Sequence, residues 1–320
     1  MGRRHGMRSR VYSDAWFHDP LCRLPASYPP RCAELPYLGA IMTSSPVDAA
    51  TLAGQTGLII PFDPHRFRSA ATHYLAGRPP YAERLIRHVA QFCALNDADH
   101  VLDLGCGPGQ LARALAPFVR QVTAIDPEPE MLATAGRLAE ASGISNVIFT
   151  QGSSLDLGPH LGHFNLASIG RAFHWMDRVD TLRRLDGLLE PGGAVVLFDD
   201  KHPPLPENAW LDDFETLHER YSEQDSGRRI RKGTDWLPHE AVLLGSAFPV
   251  LDRVSALDRY PLSIERLVDR VLSRSSTTSA RLGDKAAAMI EDIGKLVAQW
   301  GKSGVLQEVV ETRALIARRA

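Results

Sequence analysis

Short apolar runs alternate with amphipathic segments over the region that follows residue 78. Apolar runs bounded by turn residues predict buried strands, and apolar residues three and four positions apart, as at Leu85, Val89 and Phe92, predict helices. The predicted strands are 100–106, 121–126, 146–151, 164–170 and 194–200. The predicted helices are 79–95, 109–118, 129–142 and 177–189. Strands that alternate with helices of about 10–15 residues indicate a parallel, doubly wound sheet.

The pattern changes after Asp200. Helical periodicity dominates the second half, with two strand-like segments among the helices. The predicted helices there are 207–222, 235–247, 262–274 and 278–300, and the predicted strands are 250–260 and 306–318. This half therefore combines the end of the sheet with helical insertions.

A glycine-rich turn joins the first predicted strand to the next helix, in the sequence VLDLGCGPGQL at 101–111. Gly105, Gly107 and Gly109 permit positive φ angles and allow a ligand to touch the backbone. Gln110 occupies the third glycine position of a pyrophosphate-binding loop. There is also no GxxxxGK[ST] phosphate cradle. The loop is therefore typical of a nucleotide site that holds no phosphate.

Two acids flank this loop. Asp103 precedes the glycines and suits a ligand with a cationic amino group, and Asp126 ends the next strand and suits ribose hydroxyls. A ligand that has both groups and no phosphate is S-adenosylmethionine.

The stretch resembles motif I of class I S-adenosylmethionine-dependent methyltransferases, and later landmarks follow in the family's order over roughly residues 70–200. These landmarks are Asp126 with Met131, the segment 151–155, the segment 172–175 and the turn 191–193. The resemblance implies an α/β, Rossmann-like, seven-stranded and mostly parallel sheet with helices on both faces and a helical insertion over the acceptor site. It also implies cofactor contacts from Asp103, Gly105, Cys106, Gly107, Gly109, Asp126, Met131, Ser153 and Ser154.

The segment YLAGRPPY at 74–81 resembles small-molecule methyltransferases similar to trans-aconitate methyltransferase. That resemblance implies that Tyr74 and Arg78 lie over the methionine end of the cofactor. Arg171, beside the tip of the fourth strand, is a further candidate for that end, although a surface ion pair is an alternative.

His174 follows the fourth strand at the expected mouth of the pocket. Its ordinary pKa of about 6.5 suits a base at neutral pH, so it is the catalytic candidate. A role as part of the pocket wall is the alternative. Trp175 is expected to pack.

The segment 199–225 holds nine acids against two bases, a local charge of −7. We expect it to cover the acceptor pocket and to attract a cationic acceptor. The alternative is a solvated helical face that the following bases at 228–232 neutralise.

The whole chain has 36 Lys and Arg against 38 Asp and Glu, a net charge of −2, and 44% hydrophobic residues. This balance argues against a nucleic-acid partner. No apolar run approaches the roughly 18–20 residues of a membrane span, and the four cysteines have no metal-ligand spacing. We therefore expect a cytoplasmic protein without a metal site.

We predict an N-terminal extension at 1–57, which is either a disordered tail or a lid. We also predict a cofactor-binding core at 58–200, an acceptor-covering insertion at 201–249 and the end of the sheet with C-terminal helices at 250–320. The predicted function is methyl transfer from S-adenosylmethionine, giving S-adenosylhomocysteine, to an amine or hydroxyl of a polar small molecule such as an amino sugar or antibiotic precursor. Carboxyl O-methylation of a small organic acid and cofactor binding without methyl transfer are the alternatives.

Overall fold

A computed structural model describes residues 59–222 and 226–320. These residues belong to the second of two compact units, Val47–Ala320. The predicted N-terminal extension at 1–57 lies outside the described residues. The subdivision at residues 200 and 250 stays a prediction.

The described residues form one seven-stranded sheet in the order β3-β2-β1-β4-β5-β7-β6. The strands are β1 His100–Leu104, β2 Gln121–Asp126, β3 Val147–Gln151, β4 Phe164–Gly170, β5 Leu189–Lys201, β6 Val250–Ser263 and β7 Val305–Arg318. The first five strands pair in parallel, and β7 runs antiparallel to both β5 and β6. The predicted α/β, Rossmann-like, mostly parallel sheet is confirmed.

Eleven α-helices accompany the sheet in the described residues. They are α1 Ala71–Gly77, α2 Glu83–Phe92, α3 Gln110–Leu115, α4 Pro129–Ala141, α5 Arg178–Asp186, α6 Leu211–Tyr221, α7 Ser226–Lys232, α8 His239–Leu244, α9 Ile264–Leu272, α10 Ser279–Leu282 and α11 Ala286–Trp300. None of these is long and apolar enough to cross a membrane.

Several boundaries differ from the predictions, and three of these differences have local reasons. The helix predicted at 79–95 begins only at Glu83. A residue that precedes a proline is disfavoured in the helical conformation, and Pro79 and Pro80 therefore keep the chain at Arg78 extended. The helix predicted at 278–300 is interrupted at Gly283, which has a φ of 50°. The strand predicted at 194–200 extends back to Leu189, and its pairing with β4 shifts register there.

The centre of the sheet is buried on both faces. In β1, Val101 faces a cluster that includes α2 and α3, whereas Leu102 and Leu104 face a cluster that includes α5 and α8. This two-sided burial explains why the central strands β1 and β4 are mostly apolar. A third cluster joins α6, α9 and α11.

Helices α1 and α9 approach each other closely at Gly77. A Cβ atom at Gly77 would lie 2.4 Å from the carbonyl carbon of Asp269, so only glycine permits this approach. The contact sets the position of the residues that follow α1, among them Arg78.

Candidate active site

The glycine loop leaves β1 with Gly105, Gly107 and Gly109 all at positive φ, between 53° and 71°. A Cβ at Gly105 would lie 2.7 Å from the Cβ of Ala172, so the loop packs closely there. A Cβ at Gly107 would meet no atom within 4 Å. The backbone at Gly107 is therefore open to a ligand, as the sequence predicted for this loop.

Asp126 ties the end of β2 to this loop. Its two carboxylate oxygens accept hydrogen bonds from the backbone N–H groups of Gly107, at 2.8 Å, and Glu128, at 2.9 Å. Burial raises the pKa of Asp126 to about 6, although these two hydrogen bonds oppose the shift. The carboxylate lies at the carboxyl edge of the sheet, where open α/β sheets bind ligands.

A cleft adjoins the loop, and we call it the loop cleft. It brings together eight of the predicted cofactor residues from separate elements. They are Tyr74, Gly105, Gly107, Asp126, Met131, Ser153, Ser154 and Arg171. Gly109 lies outside the cleft and packs instead against Ala135 and Phe149, each with an atom 3.1 Å from its would-be Cβ.

Asp103 and Cys106 line a small recess next to the loop cleft, together with Tyr74 and Gly105. The recess measures about 10 Å³, which is close to the space one water-sized group requires. Burial raises the pKa of the Cys106 thiol well above its ordinary value, so the side chain is a packing thiol rather than a reactive thiolate.

Asp103 is 1% exposed, and both its oxygens have protein donors. The Ala112 N–H and the Ser168 hydroxyl each donate at 2.9 Å. Burial raises the pKa of this carboxyl to about 7 despite these bonds. Asp103 therefore fastens α3 and β4 to β1, and it lines the recess next to the loop cleft.

Glu128 is a residue of the cleft that the sequence reasoning missed. It is 2% exposed, and its Oε2 has no hydrogen-bond partner among the described residues. His65 Nδ1 lies 3.5 Å away from that oxygen. The acid two positions after Asp126, in the sequence IDPEPEM, was the available signal.

Residues 61–67 cover the loop cleft, with Phe67 packed edge-on against Tyr74 and Trp175 at centroid distances of 6.4 and 5.7 Å. The guanidinium of Arg66 lies 4.6 Å from the Trp175 ring centre. This segment has no hydrophobic periodicity, so its position could not be predicted from the sequence.

Arg171 has a φ of 55°, which is uncommon for a residue other than glycine and is typical of functional sites. Its guanidinium pairs with Asp200, donates to the Pro79 carbonyl at 2.7 Å and lies 4.3 Å over the Tyr81 ring. The side chain is 8% exposed, and its Nη1 has no partner in the described part of the chain.

A second, larger cavity of about 530 Å³ adjoins the loop cleft, and we call it the large cavity. The two share a wall formed by Phe67, Tyr74, Arg171, Ala172 and Trp175. The volume lies within the range of small-molecule sites.

Residues 101–193 match a family described as a methyltransferase domain. This part of the chain is thus a methyltransferase domain. An uncharacterized methyltransferase of Bacillus subtilis is 32% identical over 119 residues, which cover 37% of this chain and 46% of that protein. A 2-phytyl-1,4-naphtoquinone methyltransferase of Synechococcus elongatus is 34% identical over 125 residues, covering 38% and 54%.

The chain thus spans about half the length of the curated relatives it matches. A solved structure from Anaeromyxobacter dehalogenans, which bears the name of a type II methyltransferase, superposes with a TM-score of 0.53 at 23% identity. That alignment covers 76% of this chain and 97% of the other, and it supports the fold of the methyltransferase domain.

The buried polar atoms of the loop cleft fit the domain's cofactor. S-adenosylmethionine carries ribose hydroxyls and a carboxylate. The cleft offers Arg171 Nη1 and Glu128 Oε2, neither of which has a hydrogen-bond partner among the described residues, although His65 lies within ion-pair distance of Glu128. The open backbone at Gly107 lets a ligand approach the loop closely. The roles of the individual residues stay predictions.

His174 lines the large cavity of the methyltransferase domain rather than the loop cleft. Its ring lies 4.5 Å from the Trp175 ring and stacks on His239 at 6.4 Å. Burial, together with the positive charge of Arg231, lowers the pKa of His174 well below its ordinary value. The imidazole is therefore neutral at neutral pH, which a base requires, but the same surroundings make proton uptake unfavourable.

Arg78 also differs from the expected position. The resemblance implied a contact with the cofactor, whereas Arg78 lines the large cavity and does not line the loop cleft. The cause is the close contact between α1 and α9, which brings Arg78 beside Ser273.

The structure also differs from the prediction that the acidic segment 199–225 covers the acceptor pocket. Among the described residues, seven cationic side chains and three carboxylates line the large cavity. The cations are Arg78, Arg171, Lys201, Arg231, Arg253, Arg274 and Arg313, and the carboxylates are Asp199, Asp200 and Glu240.

Only Asp199 and Asp200 of the acidic segment reach this wall, where they pair with Arg313 and Arg171. Glu207 and Glu219 pair with Arg259 and Lys232 away from this wall, and Glu215 pairs with Arg274, one of the seven cations of the wall. Glu223 and Asp225 lie outside the described residues. Bases from distant parts of the chain therefore neutralise much of the −7 charge.

Proposed function

We propose that the protein is an S-adenosylmethionine-dependent methyltransferase whose acceptor is a small molecule held in the large cavity. The observation that carries this proposal is the wall that the loop cleft and the large cavity share. Methyl transfer requires donor and acceptor to meet in line at about 3–3.5 Å, and two adjoining sites provide that arrangement. The matched methyltransferase domain supports the choice of cofactor.

The cofactor would be held by residues of the loop cleft. Asp126 and Glu128 would accept hydrogen bonds from the ribose hydroxyls, and Met131 would pack against the adenine. Arg171 would bind the carboxylate through its Nη1. Asp103 would act on the ammonium through the recess. These roles rest on burial, on the unpartnered atoms and on the lining of the cleft.

When bound, S-adenosylmethionine supplies a methyl group already activated by its sulfonium. The protein's contribution is then mainly alignment and the exclusion of water. Phe67 packs against Tyr74 and Trp175 at the junction of the two cavities. These three rings would align the reactants and exclude water.

The chemistry of the acceptor decides whether the protein must move a proton. An amine or hydroxyl must lose a proton, and His174 is the side chain on the cavity wall that we assign to accept it. A carboxylate needs no base. The excess of cations around the large cavity disfavours a cationic acceptor such as an amino sugar and favours an acidic one.

The proposal is tested by incubating the purified protein and cofactor with a small-molecule extract. We expect one or more compounds to gain the mass of a methyl group as S-adenosylhomocysteine forms. Tight cofactor binding without a methylated product would instead support a binding protein that does not transfer methyl groups.

A further inference from the structure

We infer that the acceptor carries a carboxylate, separate from or identical to the methylated group, and that Arg78 binds it in the large cavity. This inference rests on the proposed function, because it names the chemical class of the acceptor. It assigns Arg78 to the acceptor rather than to the cofactor.

The first support is the position of Arg78. One Nη donates to the Ser273 carbonyl at 3.0 Å, and the guanidinium lies 5.3 Å from the Tyr74 ring centre. These contacts orient the side chain on the wall of the large cavity. Its Nε is buried and has no hydrogen-bond partner within the described ranges. A guanidinium held in this way is pre-organised for a ligand, because the protein has already fixed its direction.

The second support is the balance of charge around Arg78. The three carboxylates of the cavity wall, Asp199, Asp200 and Glu240, already pair with arginines other than Arg78. Over residues 59–222 and 226–320, no carboxylate lies within ion-pair distance of Arg78. Burial lowers the pKa of Arg78, and the nearby guanidiniums of Arg171 and Arg274 add to that effect, whereas Tyr74 and the Asp200 carboxylate oppose it.

A half-buried guanidinium with no carboxylate at ion-pair distance is costly, and an anionic ligand offsets that cost. A carboxylate suits this place because its planar oxygens match the edge of a guanidinium. A phosphate offers similar oxygen acceptors but carries more charge than one unpaired guanidinium balances. We therefore commit to a carboxylate, and a phosphate preference is one of the results that would overturn this choice.

The test compares Arg78→Gln with a matched control, Arg259→Gln. Arg259 is 65% exposed, pairs with Glu207 and lines neither cavity. The probes are succinate, citrate, benzoate and salicylate, together with succinamide, benzamide and salicylamide, and phenyl phosphate serves as the phosphate arm. Direct binding is measured by calorimetry in the presence of S-adenosylhomocysteine, and methylation is measured by mass spectrometry.

We expect at least one of the acids to bind, and we expect the amide of that acid not to bind. Loss of a hydrogen bond to a charged group corresponds to roughly a 10- to 100-fold weaker affinity, and we expect this for Arg78→Gln. For a methylated acid, the same change should appear in KM. Arg78→Gln should leave cofactor affinity and the melting temperature close to those of the parent, and Arg259→Gln should leave acid binding unchanged.

Three results would overturn the inference. Acids could bind equally well to the parent and to Arg78→Gln, phenyl phosphate could bind where every acid fails, or only amides and amines could be methylated. In the last case the proposed methyltransferase function would still stand. If acids bind in an Arg78-dependent manner and no probe or extract compound is ever methylated, the proposed function fails while the anion site remains.

Discussion

Asp103→Asn separates the contribution of Asp103 to folding from its predicted contribution to cofactor binding. The substitution keeps the size of the side chain and removes its charge. The new amide oxygen can accept the hydrogen bond from the Ala112 N–H. The new NH₂ group can donate to Ser168, whose hydroxyl then turns toward the Leu102 carbonyl 3.3 Å away. The hydrogen bonds can therefore be satisfied in the variant.

The expected change in stability follows from the pKa of Asp103, which rises from 3.8 to about 7 on folding. A raised carboxyl pKa means that the folded state holds the proton more tightly than the unfolded state. The stabilisation is therefore complete below pH 3.8 and is lost as pH rises through 7. A shift of this size corresponds to a ceiling of about 4 kcal/mol. Because Asn cannot ionise, we expect Asp103→Asn to unfold with about 2–4 kcal/mol more free energy than the parent at pH 8.

Asp103→Asn should gain stability but lose affinity for the cofactor. If Asp103 attracts the ammonium of S-adenosylmethionine through the recess, loss of its charge should weaken binding roughly 10-fold. Denaturant unfolding at pH 4 and pH 8, together with calorimetric titration of the cofactor, measures both effects. Asp97→Asn, at an exposed position, is the control.

Two results would refute this reasoning separately. Equal stability of parent and Asp103→Asn at pH 8 would contradict the raised pKa. Unchanged cofactor affinity would contradict the predicted role of Asp103 toward the ammonium.

Three further predictions concern the loop cleft and the large cavity. Asp126→Ala should weaken cofactor binding severely and leave the fold intact by circular dichroism, and unchanged affinity in a titration would rule out the ribose assignment. His174→Ala should retain cofactor affinity and lower turnover with an amine or hydroxyl acceptor, so full turnover would exclude its role as a base. Gly105→Ala should lower the melting temperature more than Gly107→Ala, because its Cβ would lie 2.7 Å from Ala172. Gly107→Ala should mainly weaken cofactor binding, and the reverse order in melting would contradict the loop geometry.

The sequence predicted the strands well where burial is continuous. The prediction for 164–170 agrees with β4 at both ends because that strand is apolar and buried on both faces. The helix predicted at 79–95 starts too early, because Pro79 and Pro80 delay the start of the helix to Glu83. The 7-residue helices α1 and α7 were not predicted from the sequence.

Site features that depend on neighbouring residues could be predicted, and those that depend on distant parts of the chain could not. The open backbone of the glycine loop was predictable, because the turn chemistry lies within a few residues. The position of Arg78 was not, because it depends on the contact of α1 with α9 almost 200 residues later in the sequence. The charge of the large cavity was also missed, because Asp199 is neutralised by Arg313 from β7.

The central claim is that methyl transfer occurs between the loop cleft and the large cavity. The most direct measurement follows S-adenosylhomocysteine formation and the mass of the acceptor together, in one reaction of purified protein, S-adenosylmethionine and a small-molecule extract. We predict that the two rise in equal amounts and that the methylated compound is an acid. S-adenosylmethionine that binds but is never converted, in any extract, would contradict the account.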